Sequence, residues 1–286
     1  MQLTCSENFD IFIHMHYSMI PAPAALQKYI KHFWVLEGNV AAPQTPSSFR
    51  TLADGTPGFI FQNRDRGTLY QFDKKLPGTF LYGQATRAAS IQIEGDFDTV
   101  GIFFQPYGLK AIFGIDAGEL TDDCQEFNPY QAAMNDSLAG ILQAATSREV
   151  RIHRLISYIE EQIVRQRKKQ DAAIMYAAEK IWMLKGNIDL HELRAELFLT
   201  ERSFERKFKQ YIGLPPKMFA RIAKFQSSLH YLRTANFDKL SDIAYLHDYT
   251  DQSHFIRNFK EFAGCSPLQL QQLQETVMDS SVTGTL

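Results

Sequence analysis

Two stretches of this 286-residue chain repeat one another at a spacing of 51 residues. The first is ERSFERKFKQYIGLPP (201–216) and the second is DQSHFIRNFKEFAGCSP (251–267). The shared positions pair Phe204 with Phe255, Arg206 with Arg257, Phe208 with Phe259, Lys209 with Lys260, Gly213 with Gly264 and Pro216 with Pro267. Arginine and lysine carry positive charge and donate hydrogen bonds, so each repeat could contact the acceptor groups of an anionic polymer.

Helical spacing separates the apolar residues of each repeat from the polar ones. At about 100° per residue, one face carries Phe204, Phe208 and Tyr211 in the first repeat and Phe255, Phe259 and Phe262 in the second. The opposite face carries Arg202, Arg206 and Lys209, and then Ser253, Arg257 and Lys260. A buried aromatic face with outward donors is what a helix in a DNA major groove requires. Glu205 and Ile256 flank the donors, where they suit a cytosine amino group and a thymine methyl group.

A single helix of this kind is more often an ordinary solvated amphipathic helix, but two features favour DNA binding. The pattern is repeated together with its glycine and proline ends. The helix between the repeats carries Lys217, Arg221 and Lys224 on a stripe separate from its apolar residues, which suits phosphate contact. Residues 200–233 contain 8 basic and 2 acidic residues, although the whole chain has a net charge of −2.

Capping signals position these helices. Asp189 and Glu192 have the spacing of a capping box, and Thr200 precedes the first repeat as a helix cap. Gly213 is expected to end that helix in a left-handed conformation, after which Pro215 and Pro216 start a helix over about 217–233. An earlier helix, DAAIMYAAEKIWMLKGN, is expected to stop at Gly186.

Residues 172–272 resemble the double helix-turn-helix domain of the AraC-type transcriptional regulators. The motifs are LHELRAELFLTERSFERKFKQYIGLPPKMFAR and LSDIAYLHDYTDQSHFIRNFKEFAGCSP. The resemblance implies double-stranded DNA and the transcription machinery as partners, with helices 201–211 and 252–262 in successive major grooves. It implies base contacts by Arg202, Glu205, Arg206, Gln252, Ser253, Ile256 and Arg257, and phosphate contacts are expected from Lys209, Lys217, Arg221, Lys224 and Lys260.

Two residues depart from the family pattern. Arg194 stands where alanine is usual, and we expect it to reach either solvent or a phosphate. Asp248 stands where the second turn usually has glycine, and aspartate tolerates the left-handed conformation better than most residues.

Residues before about 130 consist of short apolar runs between turn signals, which predicts strands: HFWVLEG, GFIFQN, TFLYGQ, SIQIEG and TVGIFFQP. PYGLKAIFGI (106–115) predicts a short helix. This half resembles the cupin-like front domain of some of these regulators, which senses a ligand or mediates dimerisation. The expected class is α+β, with a small β-barrel followed by an all-α domain. A ligand pocket is predicted from Trp34, Phe61, Tyr82, Gln84, Arg87 and Phe103, although strand aromatics are more often plain core.

From about residue 136 the pattern becomes helical, with Asp136 or Ser137 as a cap. Ile152, Leu155, Ile156, Ile159 and Ile163 form an apolar stripe on a helix over 148–165, which either packs on its own domain or mediates a homodimer. The basic run RQRKKQ (165–170) follows. The expected division is a sensing or dimerisation domain at 1–165, a DNA-binding domain at 171–273 and a flexible tail at 274–286.

The chain has no apolar run long enough to span a bilayer and no signal-peptide start, so we expect a cytoplasmic protein without a membrane partner. Cys5, Cys124 and Cys265 fit neither a disulfide framework nor a zinc site and are expected to be reduced and mostly buried. The principal expectation is a ligand-responsive regulator without enzymatic activity, metal or cofactor. The alternatives are a regulator controlled by a protein partner and a metal-dependent enzyme tethered to DNA, for which His14, His16 and His32 are the candidate ligands.

Overall fold

The computed structural model describes residues 13–40, 47–127, 138–167, 170–234, 237–272 and 276–278. Strands dominate up to residue 126 and helices follow, so the predicted α+β class is confirmed. Cys5, the expected caps Asp136 and Ser137 and the side chain of His14 lie outside the described residues. Among the helices of the described ranges, none is both long and apolar enough to cross a membrane.

Eleven strands in the described ranges form two sheets. Their bounds are β1 Ile13–Pro21, β2 Ile30–Val40, β3 Ser47–Thr51, β4 Gly58–Gln62, β5 Gly67–Gln71, β6 Lys74–Lys75, β7 Thr79–Tyr82, β8 Ala89–Gly95, β9 Phe97–Phe104, β10 Cys124–Glu126 and β11 Thr276–Met278. The first sheet has the order β1-β2-β9-β4-β7-β10, and the second has the order β11-β3-β8-β5-β6. Of these pairings only that of β11 with β3 is parallel.

Both faces of the first sheet are buried. Alternate residues of each strand point to opposite faces, so one strand contributes to two cores. One face meets the second sheet through a core of Tyr17, Trp34, Leu36, Phe49, Leu69, Leu76, Phe80, Ile91, Ile93, Phe97 and Phe103. The other face, with Phe33, Phe61 and Val100 among its residues, packs against helices. Gly101 makes room for the Trp34 ring, since a Cβ at this glycine would lie 2.1 Å from the ring atom Cε2.

The five predicted strand runs are confirmed as β2, β4, β7, β8 and β9. The shorter or more polar strands β3, β5, β6 and β10 were not predicted, because few of their residues alternate in polarity. The helix predicted within 106–115 is present as a π-helical turn, Leu109–Phe113, which ends at Gly114 with φ 74°.

The next two helices are α1, Leu138–Gln143, and α2, Arg148–Gln166. The predicted stripe of α2 faces the interior of its own chain, with Ile152, Leu155 and Ile159 buried. Arg151, also buried, forms an ion pair with Asp98 of β9 at 2.7 Å. The stripe is therefore core and does not supply a free surface for a dimer.

The C-terminal helices are α3 Ala172–Met183, α4 Leu190–Glu196, α5 Glu201–Ile212, α6 Pro216–Thr234, α7 Leu240–Leu246, α8 Gln252–Ala263 and α9 Pro267–Gln272. The predicted cap residues act as expected: Asp189 accepts from the N–H groups of His191 and Glu192, and Thr200 accepts from that of Ser203. Gly213 ends α5 with φ 94°, and α6 starts at Pro216.

The predicted flexible tail needs one correction. Residues 276–278 form β11, which pairs in parallel with β3 and so returns the chain to the front domain. β11 is an edge strand of the second sheet, so the backbone groups that it pairs are those that face β3. Residues 279–286 lie outside the described part of the chain.

The turns after α4 and α7 each contain a left-handed residue that is not glycine: Phe198 has φ 54° and Asp248 has φ 53°. Aspartate was expected to adopt this conformation, whereas Phe198 was not noticed as its counterpart. A phenylalanine there is strained by its Cβ and gains little in return, since its side chain is 96% exposed.

We predict that Phe198→Gly raises the free energy of unfolding by about 1 kcal/mol, because relief of the left-handed strain exceeds the entropy cost of glycine. Urea denaturation followed by circular dichroism measures this. The control is Tyr245→Gly, which removes another exposed aromatic residue, from within α7. It should lower stability by about 1 kcal/mol. An equal decrease in the free energy of unfolding in both variants would contradict the strain at Phe198.

Candidate nucleic-acid interface and ligand cavity

The inward face of α5 is the predicted aromatic one. Phe204, Phe208 and Tyr211 are buried, and the ring of Phe208 lies 5.7 Å from that of Phe219 on α6. The side chains opposite them on α5 must therefore point to solvent. Arg202, Glu205 and Arg206 are all exposed.

α8 packs in the same way against the other end of α6. The Phe225 ring lies 5.2 Å from Phe259 and 5.4 Å from Phe262, and all three side chains are fully buried. Gln252, Ser253 and Arg257 are exposed on the outer side, as predicted. Ile256 is only half exposed, since part of its side chain packs against the helical core.

Among the five cations predicted to contact phosphate, Lys209, Lys217 and Lys260 are exposed. The other two are half-buried and are held by the protein. Arg221 pairs with Glu261 of α8, and Lys224 donates to the backbone oxygen of Asp248 at 3.2 Å. The Arg221–Glu261 pair joins α6 to α8, so it helps to fix one helix relative to the other. Sequence spacing gave no sign of this, because the two residues are 40 positions apart.

The two departures from the family pattern are resolved by local contacts. Arg194 is half-buried, and its guanidinium pairs with Glu201 in the first turn of α5, at 2.6 Å. The Asp248 carboxylate accepts a hydrogen bond from Asn187 Nδ2 at 2.8 Å. The second turn is thus tied to the segment that follows α3.

The front domain contacts the C-terminal ends of both helices. Thr121 Oγ1 donates to the Gly213 oxygen, just after α5, at 2.7 Å. The Ala53 N–H approaches the Phe262 oxygen of α8 at 3.5 Å, and the Ala53 oxygen accepts from buried Gln226 Nε2 of α6 at 2.8 Å. Sequence analysis missed these contacts, and its one available signal was a glutamine next to Phe225 on the apolar side of α6.

A cavity opens between the two sheets of the front domain. Its volume is about 130 Å³. Five predicted pocket residues line it: Trp34, Tyr82, Gln84, Arg87 and Phe103. Phe61 does not, because its side chain points to the other face of β4, where the Arg151 guanidinium lies 5.3 Å from its ring centre. The alternation of strand residues excludes Phe61 from the cavity.

Two buried polar atoms on the cavity wall have no hydrogen-bond partner in the protein. Gln84 Nε2 donates to the backbone oxygens of Gly55 (3.1 Å) and Pro106 (3.4 Å), which fixes the amide orientation and leaves Oε1 as an unpaired acceptor. Trp34 Nε1–H is an unpaired donor. Burial, and then the nearby Asp54 and Tyr17, raise the pKa of the Tyr82 phenol, so it stays a neutral hydroxyl.

The two candidate metal ligands whose side chains the structure describes, His16 and His32, lie at different positions along β1 and β2. His16 is exposed and His32 is buried in β2, and the described residues contain no cluster of three or more histidine, cysteine or acidic side chains suited to a metal. Burial, followed by the charge of Lys31, lowers the pKa of His32 to about 4. Its Nε2 has no partner in the protein, and its ring lies 5.1 Å from that of Phe103. Cys124 and Cys265 form no disulfide, and both are half-buried, whereas they were expected to be mostly buried.

We predict that His32 makes the fold acid-sensitive. In the unfolded chain its pKa is near 6.5, whereas in the fold it is about 4, so protons bind preferentially to the unfolded state between these values. The free energy of unfolding should fall by about 2 kcal/mol from pH 6.5 to pH 4 through this residue. His32→Leu should remove that part of the loss in denaturation curves measured at several pH values. His153→Leu, at an exposed position of α2, should retain it, and an unchanged pH dependence in His32→Leu would contradict the assignment.

Two family models match separate parts of the chain. Residues 18–126 match a domain of unknown function, which corresponds to the strand-rich front domain. Residues 193–272 match a helix-turn-helix domain, which covers α4 to α9. The outward residues of α5 and α8 both lie within the second match.

Curated relatives match about half of the chain. The transcriptional activator RhaS of Klebsiella pneumoniae is 22% identical over 140 residues, 49% of this chain and 42% of that protein. RhaS of Salmonella schwarzengrund is 23% identical over 141 residues, with the same coverage. The chain thus spans about two fifths of the length of these relatives.

Among solved structures, ToxT of Vibrio cholerae is 13% identical, with a TM-score of 0.42 over 80% of this chain and 98% of that one. The C-terminal domain of AraT from Geobacillus stearothermophilus is 17% identical, with a TM-score of 0.34 over 40% of this chain and 93% of that one. The C-terminal region of the present chain is a helix-turn-helix domain. It contains two helix-turn-helix units, α4 with α5 and α7 with α8, joined by α6.

Proposed function

We propose that this protein is a sequence-specific DNA-binding transcriptional regulator, controlled by a small molecule in its front domain. α5 and α8 are the recognition helices, and they enter successive major grooves on one side of the duplex. Arg202, Glu205 and Arg206 contact bases from the first helix, and Gln252, Ser253 and Arg257 do so from the second. Ile256 contributes a smaller apolar contact because part of it is buried.

The observation that carries this proposal is the shared packing of the two helices on α6. Each buries three aromatic side chains and turns its arginine outward, so Arg206 and Arg257 are presented by equivalent surfaces of one rigid unit. Arginine suits this role because its fork of donors matches the O6 and N7 acceptors of guanine. A merely solvated helix pair would not need the same donor position twice.

Affinity independent of sequence is assigned to the exposed lysines Lys209, Lys217 and Lys260, which neutralise phosphates. Arg221 and Lys224 mainly stabilise the helical domain, since each already has a partner in the protein. Regulation of transcription by DNA binding implies that the protein is cytoplasmic and contacts the transcription machinery. Control by a protein partner is the second candidate, favoured if the cavity binds no small molecule.

Selection of duplexes from a random library by the full-length protein, at low and at moderate salt, tests the function directly. Two short conserved elements, with centres about one helical turn apart, are expected in the enriched sequences. Tight binding without enrichment, disappearing as the salt concentration rises, would mean that the domain holds phosphates alone and would overturn the proposal.

We predict different effects for the two kinds of basic residue. Arg206→Ala and Arg257→Ala should each cost about 1–3 kcal/mol of binding free energy and relax specificity within one element. Lys217→Ala should weaken binding to all sequences alike and reduce the salt slope by about 1. Fluorescence anisotropy on selected and scrambled duplexes distinguishes these outcomes. Arg154→Ala, which removes an exposed arginine from α2, is the control and should change neither quantity. Uniform losses in the arginine variants would argue against base contact.

A further inference from the structure

One segment of the front domain borders both the cavity and the recognition helices. We name residues 50–56 the connecting segment. Leu52, Asp54 and Thr56 line the cavity, whereas Ala53 and Gly55 between them contact the helical domain. Residues that line the cavity and residues that contact the helices therefore follow one another along the same short backbone segment, so a displacement on the cavity side is transmitted to the helical side.

The helical side of the connecting segment is tightly packed. Gln226, which is buried, donates to the Ala53 oxygen at 2.8 Å. Gly55 has φ 69°, and a Cβ there would lie 2.5 Å from the Trp182 ring of α3, so no other residue fits. Arg50 Nη1 approaches the Ala263 oxygen at the end of α8, at 3.5 Å.

Arg50, together with the Ala53 N–H that approaches the Phe262 oxygen, contacts carbonyl groups at the C-terminal end of α8, where a helix leaves carbonyl groups without a partner. α5 has a corresponding contact, since Thr121 donates to the Gly213 oxygen. Thr121 lies next to Asp122 and Asp123 of the cavity wall. Both recognition helices are thus held at the same end by backbone or side-chain groups next to the cavity.

The cavity wall indicates the chemistry of its occupant. Most of the lining is apolar, including Phe49, Leu69 and Phe80. Among the described residues that line it, the charged ones are the acids Asp54, Asp122 and Asp123 and the exposed base Arg87. An anion would be repelled by this balance.

We propose that the effector is an uncharged, mainly apolar molecule, and that it acts on DNA binding through the connecting segment. The inference rests on the proposed function for the role of α5 and α8. Filling the cavity shifts Leu52, Asp54 and Thr56, and the shift passes through Ala53 and Gly55 to α6 and α8. When the cavity is occupied, the contacts of the front domain with the recognition helices change, and the relative position of these helices changes with them.

The chemistry is tested with two fluorescent probes of related scaffold. N-phenyl-1-naphthylamine is neutral and has one N–H donor, whereas 8-anilino-1-naphthalenesulfonate carries a sulfonate. Titration of the full-length protein should show saturable one-to-one binding of the neutral probe, at least roughly tenfold tighter than that of the anion. Tighter binding of the anion, or saturable binding of neither probe, would overturn the assigned ligand class.

The coupling is tested by amide hydrogen exchange with and without the neutral probe, in the absence of DNA. Residues 50–56 and the ends of α6 and α8 nearest to them should change their exchange rates together, by about threefold or more. Changes confined to the front domain would overturn the coupling even if DNA binding is established. Failure to select a DNA sequence would leave this result unaffected, so the two proposals fail separately.

Gln226→Leu should bind the probe as tightly as the wild-type protein but lose the changes in α6 and α8, because its hydrogen bond to Ala53 is gone. Ser228→Ala is the matched control, since this buried serine of α6 donates to Phe225 of its own helix, and it should keep the changes. If Gln226→Leu does not fold, Arg50→Met removes the contact with Ala263 at a half-buried position. If either variant folds and still shows the wild-type changes of exchange rate in α6 and α8, the proposed route through the connecting segment is contradicted.

Discussion

The packing of two aromatic triplets on one long helix is the constraint on which the rest of the structure depends. Phe208 against Phe219, and Phe259 and Phe262 against Phe225, fix which sides of α5 and α8 are buried. Burial of each such ring is worth about 2–3 kcal/mol, so rotation of either helix about its axis is strongly opposed. The outward direction of Arg206 and Arg257 follows from this core rather than from any interaction of the arginines.

Features fixed by local chemistry could be predicted from the sequence. The caps at Asp189 and Thr200, the left-handed glycine at 213 and the aromatic faces all depend on residues within one or two helical turns of one another. The strongest strands were predictable for the same reason. The double helix-turn-helix and its outward residues were therefore within reach of the sequence.

Long-range contacts were not predictable in this way. The Arg221–Glu261 pair, the Gln226–Ala53 hydrogen bond and the position of Phe61 depend on how distant segments are placed, which periodicity does not encode. Phe61 shows the limit clearly, since its strand was predicted correctly but its face was not. The strain at Phe198 was missed because nothing in the residue type marks a left-handed turn.

The physical coupling between the domains gives the front domain a role beyond that of an attached module. Its connecting segment and Thr121 supply hydrogen bonds at the ends of both recognition helices, where the helices themselves leave carbonyl groups unsatisfied. The free energy of these few contacts is small compared with that of the aromatic core. They can therefore be altered by a ligand without unfolding the helical domain.

The central claim is that one chain presents two recognition helices at a fixed spacing. The most direct test is the affinity for a selected duplex with 5 additional base pairs inserted between its two elements, which turns one element by about half a helical turn. The account predicts that affinity falls at least roughly tenfold, to that of a duplex with a single element. Unchanged affinity would show that the two helices are not rigidly joined and would contradict it.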